Sequence, residues 1–233
     1  MSEDKCLLLT GSSRGIGSEL RDHFLTNGWQ VIGLSRSETF SHPEYIHYPV
    51  NLASASDIVD IFKTIRKAHA QIDVVINNAA VLTSQYSMIM PPQAAQDMVN
   101  VNLLAPFLVS REVAKIMKKV RTGRIINIGS MASSLEPVGD SVYAATKAGI
   151  STIANVMAKE FSQLNITCNT VAINAIESDM LKQLPREKID EIIYNLPTGR
   201  YSKIDDLLNV IEFFISKKSD AITAQTIFLG GVN

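Results

Sequence analysis

"LLLTGSSRGIGSEL", residues 7–20, is the stretch whose reading decides the fold. Its first residues are uninterrupted apolar positions, the pattern of a strand buried on both faces. The residues after Gly17 enter a helical pattern, and between the two lie Gly11, Gly15 and Gly17 in the spacing T-G-x-x-x-G-x-G. Glycines at such a strand-to-helix turn let the backbone bend tightly and approach a pyrophosphate at the helix N-terminus. A glycine-rich turn that binds nothing is the alternative. The flanking strand and helix are the context the motif requires, so a dinucleotide is expected here. Gly11, Ser13, Arg14, Gly15, Ile16 and Gly17 are its candidate contacts.

Outward from this loop, short apolar runs alternate with longer helical ones. Strands are expected at 5–10, 30–35, 45–50, 72–78, 123–129, 165–173 and 224–230. Helices are expected at about 14–27, 55–69, 101–120, 141–163 and 203–216. Strand–helix alternation with apolar strands predicts one Rossmann-type, doubly wound α/β domain over residues 1–233, its mostly parallel, seven-stranded sheet covered on both faces. No repeat or linker divides the chain. Ligands in such sheets bind beyond the carboxyl ends of the strands, near the switch in strand order.

Composition narrows the function. A net charge of −1 offers no electrostatic case for nucleic acid or a membrane surface. No apolar run approaches the length that spans a bilayer. The polar start "MSEDKC" leads directly into "LLLT", so no secretory signal is expected. Cys6 and Cys168 sit in strand-like runs and read as buried free thiols, with a disulfide or metal pair as the alternative. A reducing cytoplasm fits, and no metal site is expected.

The second strand ends in "GLSRSE", where enzymes that use the cofactor lacking the 2′-phosphate usually carry a carboxylate. Ser35 and Arg36 stand here instead, with Arg14 in the glycine loop. Two guanidiniums suit a phosphate, so NADP(H) is expected over NAD(H); two solvated surface arginines are the bland alternative. Asn51 and Leu52, after the third strand, are placed to flank the adenine.

"SVYAATKAGIST", residues 141–152, puts Tyr143 and Lys147 four positions apart on one helical face. A cation beside a phenol favours the phenolate, so Tyr143 is expected to release its proton more readily than an ordinary tyrosine. That suits proton transfer at an oxygen.

Together these stretches resemble the short-chain dehydrogenase/reductase family over essentially the whole chain, in its 3-oxoacyl-carrier-protein-reductase-like branch. "TGSSRGIG" resembles that family's cofactor loop and "NNAA" (77–80) its N-N-A-G, making Asn78, Ala79 and Ala80 cofactor neighbours. Asn102 in "VNLLAPF" matches the family asparagine, and Ser130 lies 13 residues before Tyr143, as the family serine does. The resemblance implies interconversion of a ketone and a secondary alcohol by hydride transfer. Tyr143 would be the general acid or base. Lys147 would lower its pKa and hold the nicotinamide ribose. Ser130 would bond the substrate oxygen, and Asn102 would hold a water for proton resupply.

The chain also departs from the family. Ile173 and Asn174 replace the usual proline–glycine, and Asn174 is expected to take up the left-handed backbone a glycine would supply. Ile176 and Ser178 still resemble residues that contact the nicotinamide amide and phosphates.

Residues 179–200 correspond to the variable substrate lid, where Ile189, Ile192, Ile193 and Leu196 share a helical face expected to pack on the body or a neighbouring subunit, with substrate contact as the alternative. The resemblance implies a small carbonyl or alcohol substrate, with a carrier-protein-bound acyl group left open. Lys118, Lys119, Arg121 and Arg124 would meet an acidic carrier, while the second basic position of carrier reductases falls in the uncharged "QLN" (163–165). The helices at 101–120 and 141–163 resemble the family's dimer and tetramer interfaces, which implies a homotetramer. An NAD-linked sugar or alcohol dehydrogenase and a non-catalytic NADPH-binding sensor or scaffold are the competing readings.

Overall fold

The computed structural model describes residues 5–176 and 186–231. Seven strands form one sheet in the order β3-β2-β1-β4-β5-β6-β7. They are β1 (Cys6–Thr10), β2 (Gln30–Ser35), β3 (Tyr45–Pro49), β4 (Val74–Asn77), β5 (Gly123–Ser130), β6 (Ile166–Ile173) and β7 (Thr226–Phe228). Every pairing is parallel. The chain winds outward from β1 to β3, then returns to lay β4 on the other side of β1. The strand order therefore reverses between β1 and β4, and a crevice opens at their carboxyl ends.

The helices are α1 (Ile16–Thr26), α2 (Ala55–Ala68), α3 (Pro92–Val99), α4 (Ala105–Val120), α5 (Ala132–Leu135), α6 (Ser141–Phe161), α7 (Arg186–Tyr194) and α8 (Ile204–Ile215). They divide between the two faces of the sheet. Ile58, Phe62, Val109, Val113, Met117 and Met157 pack with Leu8, Val75 and Cys168 on one face. Leu20, Phe24, Leu207, Ile211 and Phe214 pack with Leu7, Leu9, Ile76 and Val171 on the other. Strands covered on both sides need no polar alternation, which is why they read as continuous apolar runs. Cys6 and Cys168 are buried free thiols, each pushed up to about 12 chiefly by burial, so neither is a ready nucleophile.

Two departures from the sequence reading have local causes. The last strand shortens to Thr226–Phe228 because Ala224 (φ 57°) and Gly230 (φ 93°) leave the extended region on either side. The helix expected from residue 101 is preceded by α3, which begins at Pro92 and runs through a π-helical turn, Asn100–Leu104, into α4. Pro92 needs no amide partner in a first helical turn, so the proline pair starts this helix. The apolar face at 189–196 packs on the body: Ile189, Ile193 and Leu196 are buried with Ala175 against Met131, Tyr201 and Phe228, while Ile192 is half-buried.

Candidate active site at the carboxyl ends of the strands

The glycine loop shows why its residue types are needed. Gly11 and Gly15 take positive φ (69° and 56°), where a side chain costs free energy. A Cβ on Gly17 would lie 1.9 Å from the Gly11 carbonyl oxygen, so α1 can approach the loop only without one. A Cβ at Gly15 would meet nothing within 4 Å, leaving open space over the start of α1. A closely packed loop open at a helix N-terminus fits a pyrophosphate-bearing cofactor. Arg14 is exposed beside it, Ser13 half-buried, and Ile16 packs its side chain against the α1-side core.

The "NNAA" segment supports this loop from behind. The backbone amides of Asn78 and Ala79 both donate to Thr10 Oγ1 at 3.0 Å, and Asn78 Nδ2 donates to the Thr10 and Gly11 carbonyls at 3.1 and 3.3 Å. The Asn78 side chain thus braces the loop from behind. Ala80 follows it, half-buried. Asn77 is structural, donating to Ser110 Oγ and Asn127 Oδ1 at 2.9 and 2.8 Å.

On the adenosine side, the Ser35 hydroxyl turns inward. It donates to the Ser37 carbonyl at 3.0 Å and lies 2.9 Å from His47 Nε2, so it is engaged within the protein. Arg36 is exposed and lines an open depression of about 600 Å³ together with Asn51, Pro49, Asp57, Asp60 and Thr64. Asn51 is exposed and also ties the turn into α2, its Oδ1 accepting from the Ala53 amide at 3.1 Å. Leu52 is buried in the core, which leaves its backbone at the rim.

A carboxylate does follow β2. Glu38 folds inward, accepting from Arg21 Nη1 (3.1 Å), the Tyr45 hydroxyl (3.1 Å) and the amides of Thr39 and Phe40 (2.9 and 3.0 Å). Burial alone pushes its carboxyl upward; these donors outweigh it and hold the group below the ordinary carboxylate range. Arg21 also donates to the Ser12 carbonyl and stacks over Phe40 at 3.7 Å. The Ser12 hydroxyl meets the Tyr45 hydroxyl at 2.8 Å, in space left by Gly33, where a Cβ would lie 2.2 Å from that hydroxyl oxygen.

Tyr143 and Lys147 lie in the first half of α6, both buried. Lys147 Nζ sits 5.8 Å from the Tyr143 ring centroid and donates to the Ile128 carbonyl at 2.8 Å. The expected easing of the phenol's deprotonation is absent. Burial, the largest cause, pushes Tyr143 up to about 12; a hydrogen bond with Ser130 pulls down and Asp140 adds to the rise. Burial likewise pulls Lys147 down to about 8. Desolvation outweighs the pairing.

Ser130 ends β5, its Oγ accepting from the Ala132 amide at 3.2 Å, so its own hydrogen is free to point at another oxygen. Asn102 lies in the π-helical turn with its side chain committed: Oδ1 accepts from the Val81 amide and Nδ2 donates to the Val81 carbonyl, both at 2.8 Å. It fastens the loop after β4 to α4.

Asn174 is not left-handed. It is buried, with Oδ1 accepting from the Ser202 amide at 3.0 Å and Nδ2 donating to the Arg200 carbonyl at 3.1 Å. The asparagine replaces glycine as a cross-brace, and Ile173 packs its bulk into the α8-side core. Ile176 is buried in that same core. Ser178 lies outside the described residues.

Sequence reasoning missed Asp140, Thr10, Arg21 and Glu38. Asp140 carried a signal, since it stands three positions before Tyr143 on the same helical face. The others were marked only by contacts distant in sequence.

This sheet, with its glycine loop at the switch point and a buried tyrosine–lysine pair across the crevice, is the framework of a nicotinamide-dependent dehydrogenase or reductase. The chain belongs to the short chain dehydrogenase family, whose model matches residues 5–189. It is similar to the 3-oxoacyl-[acyl-carrier-protein] reductase FabG of Vibrio harveyi, at 33% identity over 236 aligned positions covering 98% of this chain and 97% of the relative. The FabG protein of Escherichia coli (strain K12) is 31% identical with the same coverage. Among solved structures, 4-hydroxyisoleucine dehydrogenase complexed with NADH superposes with a TM-score of 0.92 at 23% identity, covering 99% of both chains. Thermoplasma acidophilum aldohexose dehydrogenase gives 0.89 at 24% identity, covering 99% of this chain and 94% of that one. These two likenesses speak to the fold.

Proposed function

We propose that the chain is an NADP(H)-dependent oxidoreductase that interconverts a ketone and a secondary alcohol, with Tyr143 as the general acid or base. The observation that carries this reading is the buried Tyr143 on α6, its phenol acted on by Ser130 from the end of β5 and its ring 5.8 Å from the Lys147 ammonium. The bound nicotinamide would supply or accept the hydride. Tyr143, protonated at neutral pH, delivers its proton to the substrate oxygen as the carbonyl is reduced. Ser130 donates to the same oxygen as negative charge develops on it. Lys147 spends one N–H on Ile128 and keeps the others for the ribose hydroxyls. Gly11, Gly15 and Gly17 admit the pyrophosphate.

Arg14 and Arg36 are the exposed cations for a 2′-phosphate, and Glu38 is already neutralised by Arg21. Asp57 and Asp60 line the depression opposite Arg36 and favour the NAD-linked reading. Steady-state assays with NADPH and NADH on the wild type and Arg36→Ala separate the two. We expect a wild-type preference for NADPH, and at least a tenfold selective loss of it in the variant. Equal losses with both cofactors would detach Arg36 from the phosphate.

The relatives' names state a carrier-bound substrate. Here Lys118, Lys119 and Arg121 are exposed at the end of α4. Arg121 donates to the Gln163 carbonyl at 2.8 Å, and Arg124 is buried and paired with Asp220, which removes it from any docking surface. A cytoplasmic homotetramer joined through α4 and α6 completes the reading; no described helix is long and apolar enough to cross a membrane.

A further inference from the structure

Asp140 is a buried carboxylate beside the reacting centre that the chemistry above does not use. It is 9% exposed and immediately precedes α6. Its Oδ1 is inaccessible and has no hydrogen-bond partner among the described residues. An aspartate at this position ordinarily caps the helix, yet its side chain makes no capping bond here. A buried acceptor left unsatisfied is costly, and beside a reacting centre a ligand is one of the groups that can complete it.

Its place identifies what completes it. Positions 140, 143 and 147 share one face of a helix. Asp140 is therefore one turn from the phenol that faces the substrate oxygen, and it acts electrostatically on that phenol. A group bonded to Asp140 would belong to the same small molecule whose carbonyl meets Tyr143.

We propose that Asp140 is a substrate-binding residue that selects carbonyl compounds carrying a hydrogen-bond donor, a hydroxyl or an ammonium, next to the reacting carbon. This rests on the ketone reductase reading of the site. A simple alkyl ketone leaves the carboxylate oxygen unpaired in a closed site. The 3-oxoacyl thioester group offers only acceptors near its ketone and does the same. A site built to bond a substrate donor rejects analogues lacking it, because the site's own group stays unsatisfied. A hydrogen bond to a charged group corresponds to roughly 10- to 100-fold in kcat/KM.

The test uses three compounds of one shape: hydroxyacetone, aminoacetone as its ammonium, and butan-2-one. Each is assayed for NADPH-dependent reduction and for a shift of the melting temperature in the presence of NADP+. NADPH binding is followed separately by fluorescence. The wild type is expected to favour hydroxyacetone or aminoacetone over butan-2-one by about 10-fold or more. Asp140→Ala brings that ratio near unity; any accompanying change in Tyr143 acts on all three ketones and cancels. Asp140→Asn, which keeps an acceptor oxygen without the charge, retains a preference for the hydroxyl and loses any preference for the ammonium. A wild-type ratio near unity, or one that survives Asp140→Ala, overturns the proposal. If NADPH binds while no ketone reacts or shifts the melting temperature, the proposal falls and the cofactor reading stands. Failure to bind NADPH removes both.

Discussion

Two buried polar clusters, one under each end of the crevice, are built on opposite plans. Beside the glycine loop, Arg21 and Glu38 are both nearly inaccessible (side chains 6% and 5% exposed), and each is met by an opposite charge and further hydrogen bonds. Across the crevice on α6, among the described residues, the Lys147 ammonium has a single carbonyl partner and Asp140 Oδ1 has none, and the Tyr143 phenol is pushed up to about 12. The first cluster is a frame that holds the glycine loop against the segment following β2. The second is left incomplete by the fold, and incompleteness marks the place where another molecule is expected.

The contrast is tested most severely at Tyr143. Tyr143→Phe is expected to lower kcat by about 10²- to 10⁴-fold while leaving NADPH binding and the urea midpoint near wild type. An unchanged kcat would remove the phenol from the chemistry. Glu38→Ala attacks the satisfied cluster instead. It takes the buried carboxylate from the Arg21 guanidinium, which keeps only the exposed Asp22 and the Ser12 carbonyl, and is expected to cost about 3 kcal/mol in urea unfolding. A loss within about 0.5 kcal/mol would mean that water already serves this pair.

Lys147→Met supplies the smallest effect and the opposite sign. The folded ammonium is pulled down to about 8 from 10.5, so between those values the unfolded chain binds more protons and stability rises with pH. At neutral pH the full penalty is present, and its removal is expected to stabilise the variant by about 1–3 kcal/mol while weakening NADPH binding. The wild type should gain about 2 kcal/mol relative to the variant between about pH 8 and 10. Tyr143 contributes in the other direction only above about pH 10, where the folded chain holds the extra proton. Parallel pH profiles for the two proteins would contradict the burial of a charged lysine.

Much of this was legible in order along the chain. The glycine spacing, the apolar strands and the Tyr143–Lys147 pair are local patterns, and a local pattern is read from neighbours in sequence. What went unread depended on partners far away. Ser35 is turned inward by His47, twelve positions on, and Glu38 is drawn inward by Arg21. Asn174 was expected to imitate a glycine through its backbone, whereas its side chain is held by the 200–202 segment.

The sequence by itself determined the doubly wound sheet and the residues gathered at its carboxyl edge, because periodicity and turn chemistry act over a few positions. Only the tertiary structure decided which of those residues are free to act. Whether a side chain is satisfied or left wanting depends on what surrounds it in space: the same burial that neutralises Glu38 with Arg21 raises Tyr143, lowers Lys147 and leaves one oxygen of Asp140 without a partner among the described residues.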